Sequence, residues 1–147
     1  MNKDISTFEL LTEAAVELVR SLKGDSFHIV LLKGTLGSGK TTFTKYVGKA
    51  LGIPEESIQS PTYTVLREYS LDLHPAGLFL HMDLYRIKDI ETIEQYGLLE
   101  LFSQKKGIFF IEWPELLESW LSGFKEHITL LEFQISESSE KRTLSIS

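Results

Sequence analysis

The chain has no cysteine among its 147 residues, which excludes disulfides, thiol nucleophiles and cysteine-based metal sites. It also has no apolar run near the ~20 residues that a helix needs to cross a bilayer. Its first residues, Met1-Asn2-Lys3-Asp4, lack the basic and apolar regions of a secretory signal peptide. The sequence therefore predicts a cytoplasmic protein that does not associate with membranes.

Basic residues are few. The chain carries 15 lysines and arginines against 21 aspartates and glutamates, for a net charge of −6. Proteins that hold nucleic acid on a broad surface need clustered basic side chains, so such binding is not expected. Arginine, which can bind a phosphate group with two parallel hydrogen bonds, occurs only at Arg20, Arg67, Arg86 and Arg142. This scarcity disfavours a kinase that clamps a phosphorylated second substrate.

Two signatures of nucleotide-binding proteins are missing as well. The chain contains neither the Asn-Lys-x-Asp loop by which GTPases select guanine nor the Leu-Ser-Gly-Gly signature of transporter ATPases. Its composition is ordinary for a globular protein, with 42% hydrophobic and 24% charged residues. The length predicts a single domain over residues 1–147, large enough for one sheet with helices on both faces.

The sequence does contain a complete phosphate-binding motif. Residues 34–41, Gly-Thr-Leu-Gly-Ser-Gly-Lys-Thr, match the pattern G-x-x-x-x-G-K-[ST] at every fixed position. An apolar strand precedes the motif and a helix follows it, so backbone N–H groups and the helix N-terminus are expected to surround phosphate oxygens. Lys40 is expected to reach the β- and γ-phosphates, and Thr41 to ligate Mg²⁺. The predicted nucleotide contacts are Gly34, Leu36, Gly37, Ser38, Gly39, Lys40, Thr41 and Thr42.

The order of predicted elements indicates an α/β fold. A capping box at Ser6-Thr7-Phe8-Glu9 opens a first helix, which ends at Gly24. Further helices are predicted at 40–51, at 89–102 with a break near Gly97, and at 114–121. Strands are predicted at 29–33, 64–71, 78–84 and 108–111, and a hairpin at 127–136 and 141–147. Strands and helices alternate early in the chain. This predicts a three-layer P-loop NTPase fold with a mainly parallel central sheet and a C-terminal antiparallel hairpin.

Two acidic residues stand at strand ends, where an open parallel sheet binds its ligands. Asp83 ends the strand at 78–84, and Glu112 follows the apolar strand at 108–111. Both are predicted to be catalytic and to serve Mg²⁺, directly or through water. The alternatives are a turn or helix-cap role for Asp83 and a solvated loop position for Glu112. His81 alternates with apolar neighbours and is predicted to be a structural, hydrogen-bonding histidine.

Four more residues are weaker candidates. Thr62 and Thr64 follow the loop after the second helix, where related enzymes place a switch segment that senses the γ-phosphate, although an ordinary loop has the same composition. Arg86 is a candidate for stabilising transition-state charge or for a structural ion pair. Trp113 is either a packing residue or a contact to a base or a partner protein.

Four motifs, in this order, resemble those of the bacterial TsaE (YjeE) family. They are the phosphate loop, then Ser60-Pro61-Thr62-Tyr63-Thr64, then His81-Met82-Asp83-Leu84-Tyr85-Arg86, then Ile111-Glu112-Trp113-Pro114-Glu115. The likeness runs from the first helix to the C-terminal hairpin. It implies an ATPase required for threonylcarbamoyladenosine modification of adenosine 37 in tRNAs that read codons beginning with A. It also implies action on a TsaB–TsaD pair, contact with tRNA only through that pair, and ATP hydrolysis that resets the complex.

The resemblance also implies roles for individual residues of the motifs. It assigns Lys40 to phosphate, Thr41 and Glu112 to Mg²⁺, and Asp83 to support of the metal and of catalysis. The chain departs mildly from the family at Thr35, Ser38 and Met82, where a small acidic residue, alanine and phenylalanine, respectively, are common. These departures remove no phosphate or metal ligand.

The remaining assignments from the resemblance concern the switch segment and the base. Thr62 and Thr64 belong to the switch-like segment, and Trp113 faces the base or the partner. The base is expected between the two chain ends, with Thr7 and Arg142 as candidate contacts.

Three functions remain in competition. The leading one is the ATPase subunit of a tRNA-modifying complex, with ATP and Mg²⁺ as cofactors. The second is a small-molecule or nucleoside kinase on the same fold, which the few arginines disfavour. The third is a nucleotide-dependent binding switch with negligible hydrolysis, which the carboxylates of Asp83 and Glu112 at strand ends disfavour.

Overall fold

The computed structural model describes residues 1–35, 37–58, 66–138 and 140–147. Its strands are β1 (Asn2–Asp4), β2 (Phe27–Lys33), β3 (Leu66–Ser70), β4 (Leu78–Asp83), β5 (Gly107–Glu112), β6 (Ile128–Ile135) and β7 (Arg142–Ile146). Its α-helices are α1 (Phe8–Ser21), α2 (Lys40–Ala50), α3 (Ile90–Glu94), α4 (Leu98–Ser103) and α5 (Glu118–Leu121). Short 3₁₀ helices cover Glu55–Ser57, Pro114–Leu117 and Ser122–His127.

The seven strands form one mixed sheet in the order β1-β7-β6-β2-β5-β4-β3. The four central strands, β6, β2, β5 and β4, are parallel neighbours, and the outer pairs are antiparallel. The predicted α/β fold is therefore confirmed, including its mainly parallel centre and the antiparallel hairpin of β6 and β7. In the described ranges, no helix is long and apolar enough to cross a membrane.

Helices cover both faces of the sheet, as the apolar strands require. On one face, Val30 and Phe110 of the sheet pack in a cluster with residues of α1 and α2. On the other face, Ile29 and Phe109 pack with α3, α4 and α5, where Phe102 is fully buried. The three layers predicted from the order of elements are thus present. The phosphate motif leads into α2, so it lies near the sheet face that α1 and α2 cover.

The start of α1 differs from the predicted capping box. Thr7, and not Ser6, is the N-cap, because the Thr7 hydroxyl accepts a hydrogen bond from the backbone N–H of Leu10 at 3.2 Å. The Ser6 hydroxyl instead accepts the backbone N–H of Arg142 at 2.9 Å. Ser6 is therefore used to join the beginning of α1 to the beginning of β7.

β1 is a strand that the sequence pattern does not predict. Its three residues are polar, and it pairs antiparallel with β7, so that Asp4 lies opposite Thr143. The next residue, Ile5, is buried and donates its backbone N–H to the carbonyl of Arg142 at 2.9 Å. This pairing places the N-terminal segment beside Arg142, next to the phosphate motif.

Candidate functional site

The phosphate motif forms the turn between β2 and α2. Gly34 has a φ of 151°, and a Cβ at that position would lie 2.7 Å from the Ser38 hydroxyl oxygen and 2.9 Å from the Phe133 carbonyl oxygen. Gly39 has a φ of 109° at the N-cap of α2. Both glycines are required, since their backbone angles are ones that residues with a side chain rarely adopt, and Gly34 also lacks space for a Cβ.

Lys40 is held inside the turn that it follows. Its side chain is buried, and its ammonium group donates hydrogen bonds to the carbonyls of Gly34 and of Thr35, the latter at 3.2 Å. The same ammonium lies 4.2 Å from the centroid of the Trp113 ring. Burial lowers the pKa of Lys40, while the nearby carboxylate of Glu112 acts in the opposite direction. A phosphate group carries negative charge, so it offers this ammonium stronger hydrogen bonds than the two neutral carbonyls do.

Glu112 is the centre of a buried polar cluster. The Thr41 hydroxyl donates to its carboxylate and lies 3.0 Å from both oxygens. His81 Nε2 lies 2.5 Å from Glu112 Oε2, and His81 is only 1% exposed. The hydrogen bond predicted for His81 is present, but its partner shows that this histidine belongs to the candidate site. The period-two pattern of β4 identifies the face that His81 occupies and not the residue that it meets.

Asp83 lies beside Glu112 at the carboxyl ends of β4 and β5, where the two residues are register partners. Burial raises the pKa of Asp83, and the charge of Glu112 raises it further. The backbone N–H of Tyr85, which donates to Asp83 Oδ1 at 3.0 Å, acts in the opposite direction. A half-buried carboxylate with a raised pKa, at the ligand-binding edge of a sheet, is a good candidate for a proton acceptor.

One cavity of about 290 Å³, here called the loop cavity, is lined by Lys40, Thr41, Asp83 and Glu112 together. It is lined by Gly37, Ser38, Gly39, Lys40, Thr41, Thr42, Asp83, Glu112, Trp113 and Arg142. Trp113 adopts a left-handed backbone conformation with a φ of 57°, and its ring lies 5.0 Å from that of Tyr85. The loop cavity is thus bounded by the start of α2, by the carboxylates of Asp83 and Glu112, and by the Trp113 ring, which lies against the Lys40 ammonium.

A second cavity of about 250 Å³, here called the N-terminal cavity, adjoins the first. It is lined by Ile5, Ser6, Thr7, Phe8, Glu9, Leu11, Ser38, Gly39, Thr42 and Arg142. Four of these residues, Ser38, Gly39, Thr42 and Arg142, line both cavities. The N-terminal cavity has an apolar wall, so the pair offers a polar compartment beside a less polar one, as a nucleotide requires.

Most of the predicted site residues lie together. Ten line the loop cavity, and Thr7 lines the N-terminal cavity beside it. Gly34 contributes the carbonyl that accepts from Lys40. Arg86 is exposed and lines neither of these cavities. Leu36, Thr62 and Thr64 fall outside the described residues, so their roles stay predictions.

The oxygen atoms at the loop cavity have the chemistry that Mg²⁺ prefers. Among the described residues, no group of three or more His, Cys, Asp and Glu side chains is placed to hold a metal ion. The Thr41 hydroxyl, the Glu112 carboxylate and the neighbouring Asp83 carboxylate nevertheless provide hard oxygen donors. Mg²⁺ commonly takes one or two protein carboxylates and completes its shell with phosphate oxygens and water. The residues present therefore fit this ion together with a phosphate ligand.

Substitution of Ser38 by alanine is expected to stabilise the protein. The Ser38 hydroxyl is buried and has no hydrogen-bond partner in the part of the chain that the structure describes. A buried hydroxyl without a partner costs about 1–3 kcal/mol, so its removal should raise the free energy of unfolding by about 1 kcal/mol. Urea denaturation of Ser38→Ala measures this change.

Thr44→Val is the matched control for that measurement. Thr44 lies in α2, and its hydroxyl is buried like that of Ser38, but it donates a hydrogen bond to the Lys40 carbonyl at 2.9 Å. Its removal should therefore lower the free energy of unfolding. Equal destabilisation of both variants would show that the Ser38 hydroxyl has a stabilising partner.

The family profile and the relatives that match this chain carry the same family name. The sequence profile of the family described as "Threonylcarbamoyl adenosine biosynthesis protein TsaE" matches residues 5–144. Two relatives named "tRNA threonylcarbamoyladenosine biosynthesis protein TsaE" are 40% identical over 102 residues in Aquifex aeolicus and 41% identical over 93 residues in Bacillus subtilis. These alignments cover 69% and 63% of this chain, and 67% and 54% of the relatives. The chain thus spans between about half and two thirds of their length.

Another relative of the same name, from Borreliella burgdorferi, is 36% identical over 107 residues, which are 73% of each chain. The crystal structure of Bacillus subtilis YdiB matches with a TM-score of 0.67 at 24% identity and covers 99% of this chain and 83% of that one. This structural likeness concerns the fold alone, and it agrees with the three layers and the mixed sheet. Because the family profile spans nearly the whole sequence, the chain belongs to the TsaE family of threonylcarbamoyladenosine biosynthesis proteins.

Proposed function

We propose that this protein is a Mg²⁺-dependent ATPase that supports threonylcarbamoyladenosine formation in tRNA by acting on a TsaB–TsaD pair. One observation carries the proposal: Lys40 and Thr41 of a complete phosphate loop share a cavity with Asp83 and Glu112. The family name of its relatives supplies the process. In this proposal, residues 1–147 form a single ATPase domain that works in the cytoplasm.

ATP is bound by the loop and by the start of α2. The N–H groups around Gly39 and the partial positive charge of the helix N-terminus attract the phosphate oxygens. Lys40 leaves the carbonyls of Gly34 and Thr35 for the β- and γ-phosphates. The base and ribose occupy the N-terminal cavity, where the backbone of Arg142 is fixed by Ile5 and Ser6. The guanidinium of Arg142 can then face both the nucleoside and the phosphates.

The Thr41 hydroxyl and the Glu112 carboxylate would hold Mg²⁺, with support from Asp83. When bound, the ion neutralises the charge that develops on the phosphate oxygens. Asp83, which lies beside Glu112 at the edge of the sheet, would accept the proton of the water that attacks the γ-phosphorus, while the bond from that phosphorus to the β–γ bridging oxygen breaks and ADP leaves. Trp113 covers Lys40 and limits the access of bulk solvent to this side of the cavity.

In this proposal, ATP hydrolysis acts on a partner protein, and no second small substrate is phosphorylated. Among the described residues, Arg142 is the only arginine that lines the loop cavity or the N-terminal cavity. A kinase usually needs more such groups to hold its acceptor. The acidic chain also lacks a broad basic surface for tRNA, so tRNA is reached through the TsaB–TsaD pair.

A reconstituted tRNA modification assay tests this function. The purified TsaB–TsaD pair, tRNA and the threonylcarbamoyl donor are combined with and without this protein, and multiple turnovers are followed. We expect the protein to stimulate turnover, and Lys40→Ala to abolish that stimulation. Lys45→Ala, an exposed lysine on the same helix, is the matched control and should stimulate normally. Efficient phosphorylation of a nucleoside or small metabolite by this protein alone would favour the kinase instead.

A further inference from the structure

His81 and Glu112 form a hydrogen-bonded pair inside the sheet, and their register partners Arg67 of β3 and Asp83 of β4 are polar neighbours on the same face. The two residues are 1% and 2% exposed, and they lie on the sheet face covered by α1 and α2. The neighbour of His81 in β5 is Phe110, which is fully buried. The side chains of His81 and Glu112 are thus almost fully excluded from solvent, and each is a hydrogen-bond partner of the other.

Stability alone does not account for such a pair. Burial of a carboxylate carries a desolvation penalty that one hydrogen bond does not regain in full, and well-packed apolar residues often serve a core equally well or better. On the side of Glu112 that faces the start of α2, however, the carboxylate accepts a hydrogen bond from the Thr41 hydroxyl. The pair therefore connects the core of the sheet to the loop cavity.

The direction of the hydrogen bond follows from the chemistry of the groups. A carboxylate has only acceptor atoms, so His81 Nε2 carries the proton and donates to Glu112 Oε2. This bond removes the freedom of the Glu112 carboxylate to rotate. The fixed carboxylate then presents both of its oxygens to Thr41 at 3.0 Å.

We propose that His81 is a positioning residue that holds the Glu112 carboxylate in the orientation needed to bind Mg²⁺ together with Thr41. The proposal rests on the proposed ATPase function, and it adds a residue from β4 to the machinery. His81 does not touch the nucleotide or the metal. Groups that orient metal ligands in this way are known to be worth about 10- to 100-fold in metal affinity or activity.

A pair of amide variants separates positioning from packing. In His81→Gln the side-chain amide nitrogen can occupy the place of Nε2, whereas in His81→Asn it reaches only the place of Nδ1. Asparagine is one methylene smaller than glutamine and leaves the larger cavity, so the free energy of unfolding of both variants is also measured to separate a packing defect from loss of the hydrogen bond. The Mn²⁺ affinity of the complex with a non-hydrolysable ATP analogue is measured by electron paramagnetic resonance, and the affinity for the same analogue in EDTA is measured by calorimetry.

We expect His81→Asn to lose about 10- to 100-fold in Mn²⁺ affinity and His81→Gln to stay within about threefold of the wild type. The metal-free affinity for the analogue should remain unchanged in both variants. Equal loss in both variants, or no loss in His81→Asn, overturns the proposal. A metal-free affinity that falls as much as the Mn²⁺ affinity also overturns it, since a general defect of the fold would then be responsible.

A double-mutant cycle with Glu112→Gln tests whether His81 acts through that carboxylate. In the Glu112→Gln background, His81→Asn should cause no further loss of Mn²⁺ affinity. Additive losses would overturn the proposal. If the wild-type protein gains no nucleotide affinity from Mn²⁺, the proposed ATPase function fails and this inference with it. If the wild type gains affinity and His81→Asn gains equally, only the inference fails.

Discussion

Replacement of Lys40 by alanine is expected to weaken ATP binding by about 100-fold or more while the protein stays folded. The ammonium of Lys40 is buried beside the loop cavity and is the one cation of the phosphate motif. Loss of one partner from a desolvated, hydrogen-bonded charge pair costs about 2–5 kcal/mol, and each 1.4 kcal/mol is about tenfold in affinity. Calorimetric titration with ATP and Mg²⁺ measures the loss.

The fold should survive this change for three reasons. The carbonyls of Gly34 and Thr35, which lose their donor, belong to a half-buried and an exposed residue, so water can replace the ammonium there. Alanine also has the highest helix propensity at the start of α2. Moreover, burial lowers the pKa of Lys40, so its removal relieves a desolvation penalty.

Lys45→Ala is the control for charge and helix position, because Lys45 lies exposed on the same helix. It should bind ATP with wild-type affinity, and both variants should show the circular dichroism of the wild type. Wild-type affinity of a folded Lys40→Ala variant would contradict the assignment of the loop to phosphate.

Much of the fold could be predicted because the strongest signals in the sequence are local. Residues 29–32 of β2 and 108–111 of β5 are continuous apolar runs that are buried, and the glycine-rich turn between β2 and α2 has a fixed spacing. Strands followed by helices then specify parallel neighbours in the sheet. The positions of Asp83 and Glu112 followed from the rule that ligands bind at the carboxyl ends of such strands, and the structure places both at the loop cavity.

What could not be predicted depends on contacts between distant parts of the chain. β1 is too short and polar to show a pattern, and it forms only because β7 offers an edge. Ser6 and Thr7 are both good N-cap residues. The Ser6 hydroxyl accepts a hydrogen bond from the backbone N–H of Arg142, 136 positions away, and Thr7 caps the helix instead. Periodicity in β4 likewise says which face His81 occupies but not that Glu112 is its partner.

Replacement of Glu112 by glutamine is expected to leave ATP bound and to reduce its hydrolysis by about 10²–10⁴-fold, the effect of removing one catalytic group. The amide has the shape of the carboxylate, so contacts to His81 and Thr41 can be kept and the fold preserved. Its loss of charge, however, weakens the site that serves Mg²⁺. Backbone N–H groups and Lys40 still bind the phosphates, so the binding constant for ATP in EDTA should not change.

Single-turnover hydrolysis with saturating ATP and Mg²⁺ measures the chemical step, and Asp83→Asn should lose activity in the same range because Asp83 lies beside Glu112 in the sheet. Glu115→Gln is the matched control, since Glu115 follows Glu112 by three residues but is exposed and does not line the loop cavity. It should hydrolyse ATP normally. If Glu112→Gln and Asp83→Asn both kept wild-type rates, the strand-end carboxylates would not be catalytic, and the nucleotide-dependent binding switch would become the better account of the site.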